Sequence, residues 1–250
     1  MITKLQVKYI QSLGQKKFRD QAGVFVAEGP KIINEWLDAG HASLETLYAT
    51  RAWMETQTGL LQNMAAEKVV EVKEPEMERL SFLQTPHAVL GVFRKPTVVL
   101  PDFSRNIFLM LDGIQDPGNL GTLIRIADWF GISHIICSAD CADAFAPKVV
   151  QAAMGSLLRV QLLYTDLLQL VTATRSMQLY AATLNGQPVN SMPPLQNGVI
   201  VIGNESKGIR PALLDSCQHR ITIPRLGQAE SLNAGVAAGI VLSHLLRKAI

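Results

Sequence analysis

The fold can be predicted from one stretch, Ile107-Phe-Leu-Met-Leu-Asp-Gly-Ile-Gln-Asp-Pro-Gly-Asn-Leu-Gly-Thr-Leu-Ile-Arg125. Its first five residues form a continuous apolar run, which has the length of a strand buried on both faces. A polar loop follows, and from Asn119 to Phe130 the apolar residues recur at helical spacing. A buried strand, a loop and a helix in this order predict one unit of a parallel α/β sheet.

The same alternation continues on both sides of this stretch. In the C-terminal half, further strands are predicted at 134–137, 178–183, 199–202 and 220–223, with a final helix over 231–248. In the N-terminal half, strands are predicted at 23–27, 44–49, 68–72 and 88–93, with a helix over 30–37. Two prolines between residues 95 and 106 indicate a linker. We therefore expect an α/β protein with a small N-terminal α/β domain, 1–98, and a C-terminal domain, 106–250, built on a mostly parallel sheet.

The composition excludes several classes of protein. The chain has 250 residues, of which 48% are hydrophobic and 18% charged, a balance typical of globular rather than disordered proteins. The longest apolar stretch, 234–242, is too short for a membrane span of about 20 residues, and the N-terminus lacks the apolar core of a secretory signal. The three cysteines are too few for a disulfide scaffold and have no partners at zinc-finger spacing. These features favour a cytoplasmic protein without a membrane partner or a bound metal.

The charge is unevenly distributed. The net charge is only +2, yet the first nineteen residues contain five basic residues and no acidic one: Lys4, Lys8, Lys16, Lys17 and Arg19. Such a segment can bind the phosphates of a nucleic acid, and it can equally be the solvated face of a helix.

Three segments rich in Gly, Asn, Glu and Ser follow three of the predicted strands, at 112–125, 203–208 and 224–233. Ligands of open parallel sheets bind at the carboxyl ends of the strands, so these loops form the candidate site. They contain neither a dinucleotide fingerprint, nor a phosphate-binding P-loop, nor the elbow of a serine hydrolase, and no histidine lies in them. A dehydrogenase or a serine hydrolase is therefore disfavoured.

The three loops resemble the three signature motifs of the SpoU/TrmH-type RNA ribose 2′-O-methyltransferases of the SPOUT superfamily. Residues 119–125 match N-x-G-x-x-x-R, residues 203–208 match G-x-E-x-x-G, and Ile223-Pro224 with Ser231-Leu-Asn-Ala234 matches the third motif. The third motif departs slightly, because Ala234-Gly235 stands where the family often has a β-branched residue and Ser. The segment 25–31, Phe-Val-Ala-Glu-Gly-Pro-Lys, is similar to the small substrate-binding domain of many members.

This resemblance implies a C-terminal sheet tied in a trefoil knot whose loops bind S-adenosylmethionine. Backbone groups at Gly203, Ile223 and Leu232 would contact the cofactor, with Gly203 allowing close approach and with a contribution from Thr183. The implied reaction is methyl transfer to a ribose 2′-hydroxyl of structured RNA, with ribosomal RNA favoured over transfer RNA. No metal is required, because the leaving group is already a sulfonium. The resemblance also implies a homodimer formed through the C-terminal domain.

The resemblance assigns roles to individual side chains. Arg125 would be the catalytic arginine, either as a clamp on the RNA phosphate or, less readily, as a base, since guanidinium groups stay protonated in proteins. Asn119 would fix Arg125 or the target ribose, Glu205 would orient the nucleotide or its own loop, and Ser231 and Asn233 would complete the pocket. The basic charge of the N-terminal segment, rather than the resemblance, predicts that Lys16, Lys17 and Arg19 contact RNA phosphates.

Each assignment has a structural alternative. Asn119 or Ser231 could merely be the N-cap of a helix, and Arg125 could be a solvated side chain. The glycines and alanines of the final helix could pack inside the domain instead of forming a dimer contact. For the whole chain, the alternatives are an RNA-binding protein with a degenerate methyltransferase domain, or a conventional class I methyltransferase, which the missing glycine-rich first loop disfavours.

Overall fold

The computed structural model describes residues 2–39, 44–62, 64–99, 101–103, 106–174 and 177–247. The chain divides into two compact units: unit 1 comprises 1–97 and 143–158, and unit 2 comprises 98–142 and 159–250. The sequence predicted a division between 98 and 106, so the two descriptions differ by the segment 143–158. Within the described ranges, no helix has the length and apolar character needed to cross a membrane.

Unit 1 is a small α/β unit built on a four-stranded sheet. Its helices are α1 (Lys4–Ser12), α2 (Lys16–Ala22), α3 (Pro30–Asp38), α4 (Arg51–Thr56), α5 (Thr58–Leu61), α6 (Glu74–Leu80) and α8 (Pro147–Ala153). Its strands are β1 (Val24–Glu28), β2 (Leu44–Thr50), β3 (Val69–Val72) and β4 (Val89–Arg94), in the spatial order β1-β4-β2-β3. The pair β2 and β3 runs parallel, whereas β4 is antiparallel to both of its neighbours.

Aromatic rings fill one face of this sheet. Phe25 of β1 lies between Trp36 of α3, Phe93 of β4 and Phe145, with ring centroids 5.0, 5.8 and 5.0 Å away. Aromatic pairs at such distances add to the stability gained from their buried area. Phe145 belongs to the segment 143–158, which explains why that segment packs with unit 1 although it lies between two strands of unit 2 in sequence.

The prediction that Arg19 contacts RNA is wrong. Its side chain is only 2% exposed and forms an ion pair with Asp143, and it also donates to the carbonyl oxygen of Leu13 over 2.7 Å. The guanidinium therefore contributes to the fold of unit 1. Lys16 and Lys17, by contrast, are exposed on α2.

Unit 2 contains a six-stranded sheet in which every pair of neighbouring strands is parallel. Its strands are β5 (Ile107–Asp112), β6 (His134–Ser138), β7 (Gln161–Thr165), β8 (Leu179–Pro188), β9 (Gly198–Gly203) and β10 (His219–Thr222), in the order β10-β8-β9-β5-β6-β7. Its helices are α7 (Pro117–Trp129), α9 (Leu167–Ala173), α10 (Pro211–Asp215) and α11 (Ala234–Leu245). The predicted parallel α/β sheet is confirmed.

Two differences from the predicted elements have clear physical causes. The strand β7 was not predicted, because it lies at the edge of the sheet and has a single buried residue, Leu162, instead of a continuous apolar run. The final helix begins at Ala234 rather than Ser231, because the side chain of Asn233 caps it by accepting from the backbone N–H groups of Gly235 and Val236.

The helices α7 and α11 pack against each other inside unit 2. A side chain at Gly235 would collide with the Thr122 methyl group, so this glycine permits the close approach of the two helices. Gly239 is less crowded, since a Cβ there would lie 3.9 Å from Ile126. At Gly235 the small residue therefore serves packing within the unit.

Candidate active site

The candidate site lies where the central strands of the parallel sheet end. The neighbours β5 and β9 pair in register through Asp112 and Gly203, so the loops after these two strands start side by side. In the strand order β10-β8-β9-β5-β6-β7, the chain runs from β5 outward to β6 and β7 and then returns to the other side of β5 for β8, β9 and β10. Open parallel sheets bind ligands at such a point, where the strand order reverses.

Side chains from three loops form a chain of hydrogen bonds at this edge. Asn119, in the first turn of α7, donates from Nδ2 to Oε1 of Glu205 over 2.5 Å. Asn233 donates from Nδ2 to Oδ1 of Asn119 over 2.8 Å. The three residues are separated by up to 114 positions in sequence, and they belong to the three predicted motifs. The structure thus brings Asn119, Glu205 and Asn233 together.

Chemistry at both ends fixes the direction of this chain. At one end, a carboxylate can only accept, so Nδ2 of Asn119 must face Glu205. At the other end, Oδ1 of Asn233 accepts from two N–H groups of α11, which leaves its Nδ2 to donate to Asn119. Neither amide can flip without placing two donors or two acceptors against each other.

The helix α7 does not use Asn119 as its cap. Asp116 takes that role and accepts from the backbone N–H of Asn119 over 2.8 Å. The side chain of Asn119 is thereby free for the chain of hydrogen bonds, and the alternative that it is only a cap is wrong. Asn233, in contrast, both caps α11 and bonds to Asn119.

The loop after β9 is a tight turn. Asn204 and Gly208 pair through two backbone hydrogen bonds of 3.1 and 2.8 Å, and Gly208 adopts a φ of +69°. A Cβ at Gly203 would collide with the backbone of Gly208 and Ile209. Glycine is therefore required at 203 by the turn itself, which is a second reason for this residue beside the predicted close approach to a ligand.

A group of charged and polar residues below these loops was not predicted from the sequence. The buried carboxylate of Asp112 accepts from the backbone N–H of Arg210 over 2.7 Å and from its Nε over 2.6 Å. Arg210 also reaches Asp140, whose pKa is lowered chiefly by the hydrogen bond from Ser138 and further by Arg210. This group ties the carboxyl ends of β5 and β6 to the start of α10. Asp112 and Arg210 are 98 residues apart, and no motif links them in sequence.

A cavity of about 720 Å³ lies beside the network and is lined by residues 182–185 within β8, by the loop after β9, by β10 and the loop that follows it, and by α11. Its walls include every predicted cofactor-binding residue, namely Thr183, Gly203, Ile223 and Leu232, and also Glu205 and Ser231. The hydroxyl of Thr183 bonds to the carbonyl oxygen of Asn185 within its own strand. The volume is in the range of small-molecule sites, and the apolar walls with polar loop atoms suit a nucleoside that carries an aliphatic chain.

Arg125 lies on α7, six residues after Asn119, and does not line this cavity. It is exposed, and within the part of the chain that the structure describes it has no hydrogen bond or ion pair. An arginine without an internal partner keeps its planar donor group available for an external phosphate. Asn119 and Asn233 likewise do not line the cavity, whereas Glu205 does. Through their hydrogen bonds, Glu205 in the cavity wall is connected to Asn119 on α7 and to Asn233 at the start of α11.

Comparisons with known proteins agree with this arrangement. Residues 106–243 match the model of the SpoU rRNA methylase family, and residues 4–91 match that of the MRM3-like substrate binding domain. The chain is 31% identical over 245 residues to the 23S rRNA (guanosine(2553)-2′-O)-methyltransferase RlmP of Bacillus subtilis, covering 96% of this chain and 95% of that protein.

Two solved structures share the whole fold. A putative RNA methyltransferase of the TrmH family from Porphyromonas gingivalis has a TM-score of 0.85 at 34% identity and covers 98% of both chains. An AdoMet-bound rRNA methyltransferase from Sinorhizobium meliloti has a TM-score of 0.85 at 30% identity and covers 98% of this chain and 95% of its own. Together with the three motifs and their geometry, these matches show that the chain belongs to the SpoU rRNA methylase family.

Proposed function

We propose that the protein transfers a methyl group from S-adenosylmethionine to a ribose 2′-hydroxyl of ribosomal RNA. The observation that carries this proposal is the hydrogen-bonded chain Glu205–Asn119–Asn233, which links the wall of a nucleoside-sized cavity to α7, the helix that carries the exposed Arg125. The AdoMet-bound relative supports S-adenosylmethionine as the occupant of the cavity.

When bound, S-adenosylmethionine would supply a methyl group on a positively charged sulfur, and transfer of that methyl group to the 2′-oxygen would leave a neutral thioether. The hydroxyl proton is released in the same reaction, so charge balances. The protein must hold the hydroxyl in line with the methyl group, because correct alignment alone can lower the barrier by several kcal/mol.

Arg125 acts as a clamp on the RNA. Its guanidinium can form two parallel hydrogen bonds with the phosphate next to the target ribose. Because a guanidinium stays protonated in proteins, it cannot readily accept the hydroxyl proton, and the role of a base is disfavoured. Glu205 orients the nucleotide from the cavity side, Asn119 holds Glu205 by its hydrogen bond, and Ser231 completes the wall.

Ribosomal RNA is favoured over transfer RNA because unit 1 has the sequence of a substrate binding domain and because RlmP is named as a 23S rRNA enzyme. We assign to unit 1 the contact with RNA outside the reacting nucleotide, with Lys16 and Lys17 exposed for phosphate binding. From the family we further infer a trefoil knot in the parallel sheet, a homodimer formed through unit 2, and a cytoplasmic location.

A methyl-acceptor assay tests this proposal. The purified protein is incubated with labelled S-adenosylmethionine and either unmodified ribosomal RNA or unmodified transfer RNA. We expect label to enter ribosomal RNA and to be absent from transfer RNA. Preferential labelling of transfer RNA would reassign the substrate. Lack of transfer to any RNA, by a protein that binds the cofactor in calorimetry, would favour a non-catalytic RNA-binding protein.

A further inference from the structure

We propose that Asn204 is a positioning residue for the reaction: its carboxamide joins the loop after β9 to the loop after β5 and thereby holds Glu205 against Asn119. This inference rests on the proposed function, because it concerns the same site. The hydrogen bonds of the Asn204 side chain go in two directions, one within its own loop and one to the neighbouring loop.

The first set of hydrogen bonds shapes the loop that carries Glu205. The Oδ1 atom of Asn204 accepts from the backbone N–H groups of Ser206 and Lys207 over 2.9 and 3.1 Å. The two backbone hydrogen bonds between Asn204 and Gly208 close the turn. Glu205 is therefore enclosed in a loop whose backbone direction is fixed by its preceding residue.

The second hydrogen bond attaches this loop to its neighbour. The Nδ2 atom of Asn204 donates to the carbonyl oxygen of Gly113 over 2.8 Å. Gly113 is itself held, since its N–H donates to Oγ of Ser138 over 2.9 Å and its φ is +71°. The attachment point is thus rigid, and the chain that follows it leads directly to Asn119.

Glu205 and Asn119 consequently lie on two loops that this one carboxamide links. A hydrogen bond of 2.5 Å between them tolerates little displacement. If the loops separated, Glu205 would keep its place in the turn, but Asn119 would lose it as a hydrogen-bond acceptor. The carboxamide of Asn119 could then rotate, and the hydrogen bond that it accepts from Asn233 would no longer have a fixed direction. Asn204 therefore acts on the reaction through Glu205 and Asn119.

The aspartate variant separates the two functions of the carboxamide. In Asn204→Asp, one carboxylate oxygen can still accept from Ser206 and Lys207, so the turn and the cavity wall are retained. The other oxygen faces the Gly113 carbonyl as a second acceptor, which removes the link between the loops. Asn190→Asp is the matched control, because Asn190 is exposed and its side chain has no hydrogen bond in the described part of the chain.

Activity and cofactor affinity are measured on the same samples. For Asn204→Asp we expect kcat for methyl transfer to fall about tenfold or more, while Kd for S-adenosylmethionine stays within about threefold, since small misplacements of reacting groups reduce rates strongly. In a Glu205→Ala background, adding Asn204→Asp should lower kcat by no further amount. A normal kcat with a weakened Kd would mean that Asn204 only supports the cavity wall, and it would overturn the inference.

A second readout does not depend on activity. In nuclear magnetic resonance spectra of the full chain, the side-chain amide protons of Asn119 report its hydrogen bond to Glu205. We expect these signals to move toward the values of a solvated amide in Asn204→Asp and to stay in place in Asn190→Asp. Unchanged Asn119 signals would overturn the inference even if the wild-type protein transferred no methyl group, an outcome that would by itself refute only the proposed function.

Discussion

The polar network of the candidate site in unit 2 differs from the buried polar groups of unit 1, although unit 2 also has one buried carboxylate, Asp112, paired with Arg210. In unit 1, charged groups are buried and paired with their own unit: Arg19 with Asp143, and Glu28 with the hydroxyl of Ser81 and the N–H of Phe82. Burial raises the pKa of Glu28, against the effect of those hydrogen bonds. In unit 2, the chain from Glu205 to Asn233 borders an open cavity, and Arg125 is exposed on the surface. A polar side chain therefore indicates a reactive site only when the residues packed around it in the fold leave it accessible to a ligand.

Replacing Arg19 by Leu should give the largest effect, and this effect should be on stability. The change leaves the Asp143 carboxylate, whose side chain is 12% exposed, without its partner. Breaking one side of a buried pair costs about 3 kcal/mol or more, so urea denaturation should show the free energy of unfolding reduced by that amount. Lys17→Leu, at an exposed neighbouring position, serves as the control and should change stability little. If Arg19→Leu were as stable as the wild type but bound RNA more weakly, the original prediction that Arg19 contacts RNA would be restored.

Replacing Arg125 by Ala should abolish most activity without affecting the fold. We expect kcat/KM for RNA to fall about a hundredfold, or about 2.7 kcal/mol in activation free energy, with Kd for the cofactor unchanged because Arg125 does not line the cavity. Arg125→Lys should also fail, because a point charge cannot replace a planar pair of donors. The measurement is a steady-state assay beside calorimetry, with the exposed Arg51→Ala of unit 1 as the control. Near-normal activity of the lysine variant would contradict the clamp.

Arg125 and Arg19 show what could be predicted from the sequence and what could not: the role of Arg125 was predicted from a motif, whereas the burial of Arg19 was missed. The loops of unit 2 were predictable, because two of them follow the buried apolar strands β5 and β9 and because the spacing of all three motifs identified Asn119, Glu205 and Asn233. The burial of Arg19 was not predictable, since its partner Asp143 is 124 residues away. For the same reason the Asp112–Arg210 pair was missed: an ion pair between distant segments leaves no periodicity in either of them.

Replacing Asn233 by Asp should produce a moderate effect on the rate alone. The carboxylate can still cap α11, but it can no longer donate to Asn119, so the chain of hydrogen bonds loses one end. We expect kcat to fall about tenfold with unfolding free energy within about 0.5 kcal/mol of wild type. Asn233→Ala should lose both functions and destabilise the protein by about 1 kcal/mol, the usual value of an N-cap. Equal rates for Asn233→Asp and the wild type would show that the network has no part in the reaction.

Reversing the charges of Lys16 and Lys17 to Glu should give the smallest effect. Each lost phosphate contact should lower the slope of log K against log salt by about 0.7 to 0.9, while cofactor affinity stays the same. Filter binding over a range of salt concentrations measures the slope, with Lys31→Glu, on α3 of the same unit, as the comparison. An unchanged slope would make these lysines a solvated helix face.

The chemistry of the product decides whether unit 2 directs the methyl group to a ribose oxygen. Ribosomal RNA labelled by the wild-type protein is hydrolysed in alkali, which cleaves every linkage except the one that follows a 2′-O-methylated ribose. We expect the label to be recovered in alkali-resistant dinucleotides, and we expect none from Arg125→Ala. Label recovered in mononucleotides with a methylated base would instead refute ribose methylation by this protein.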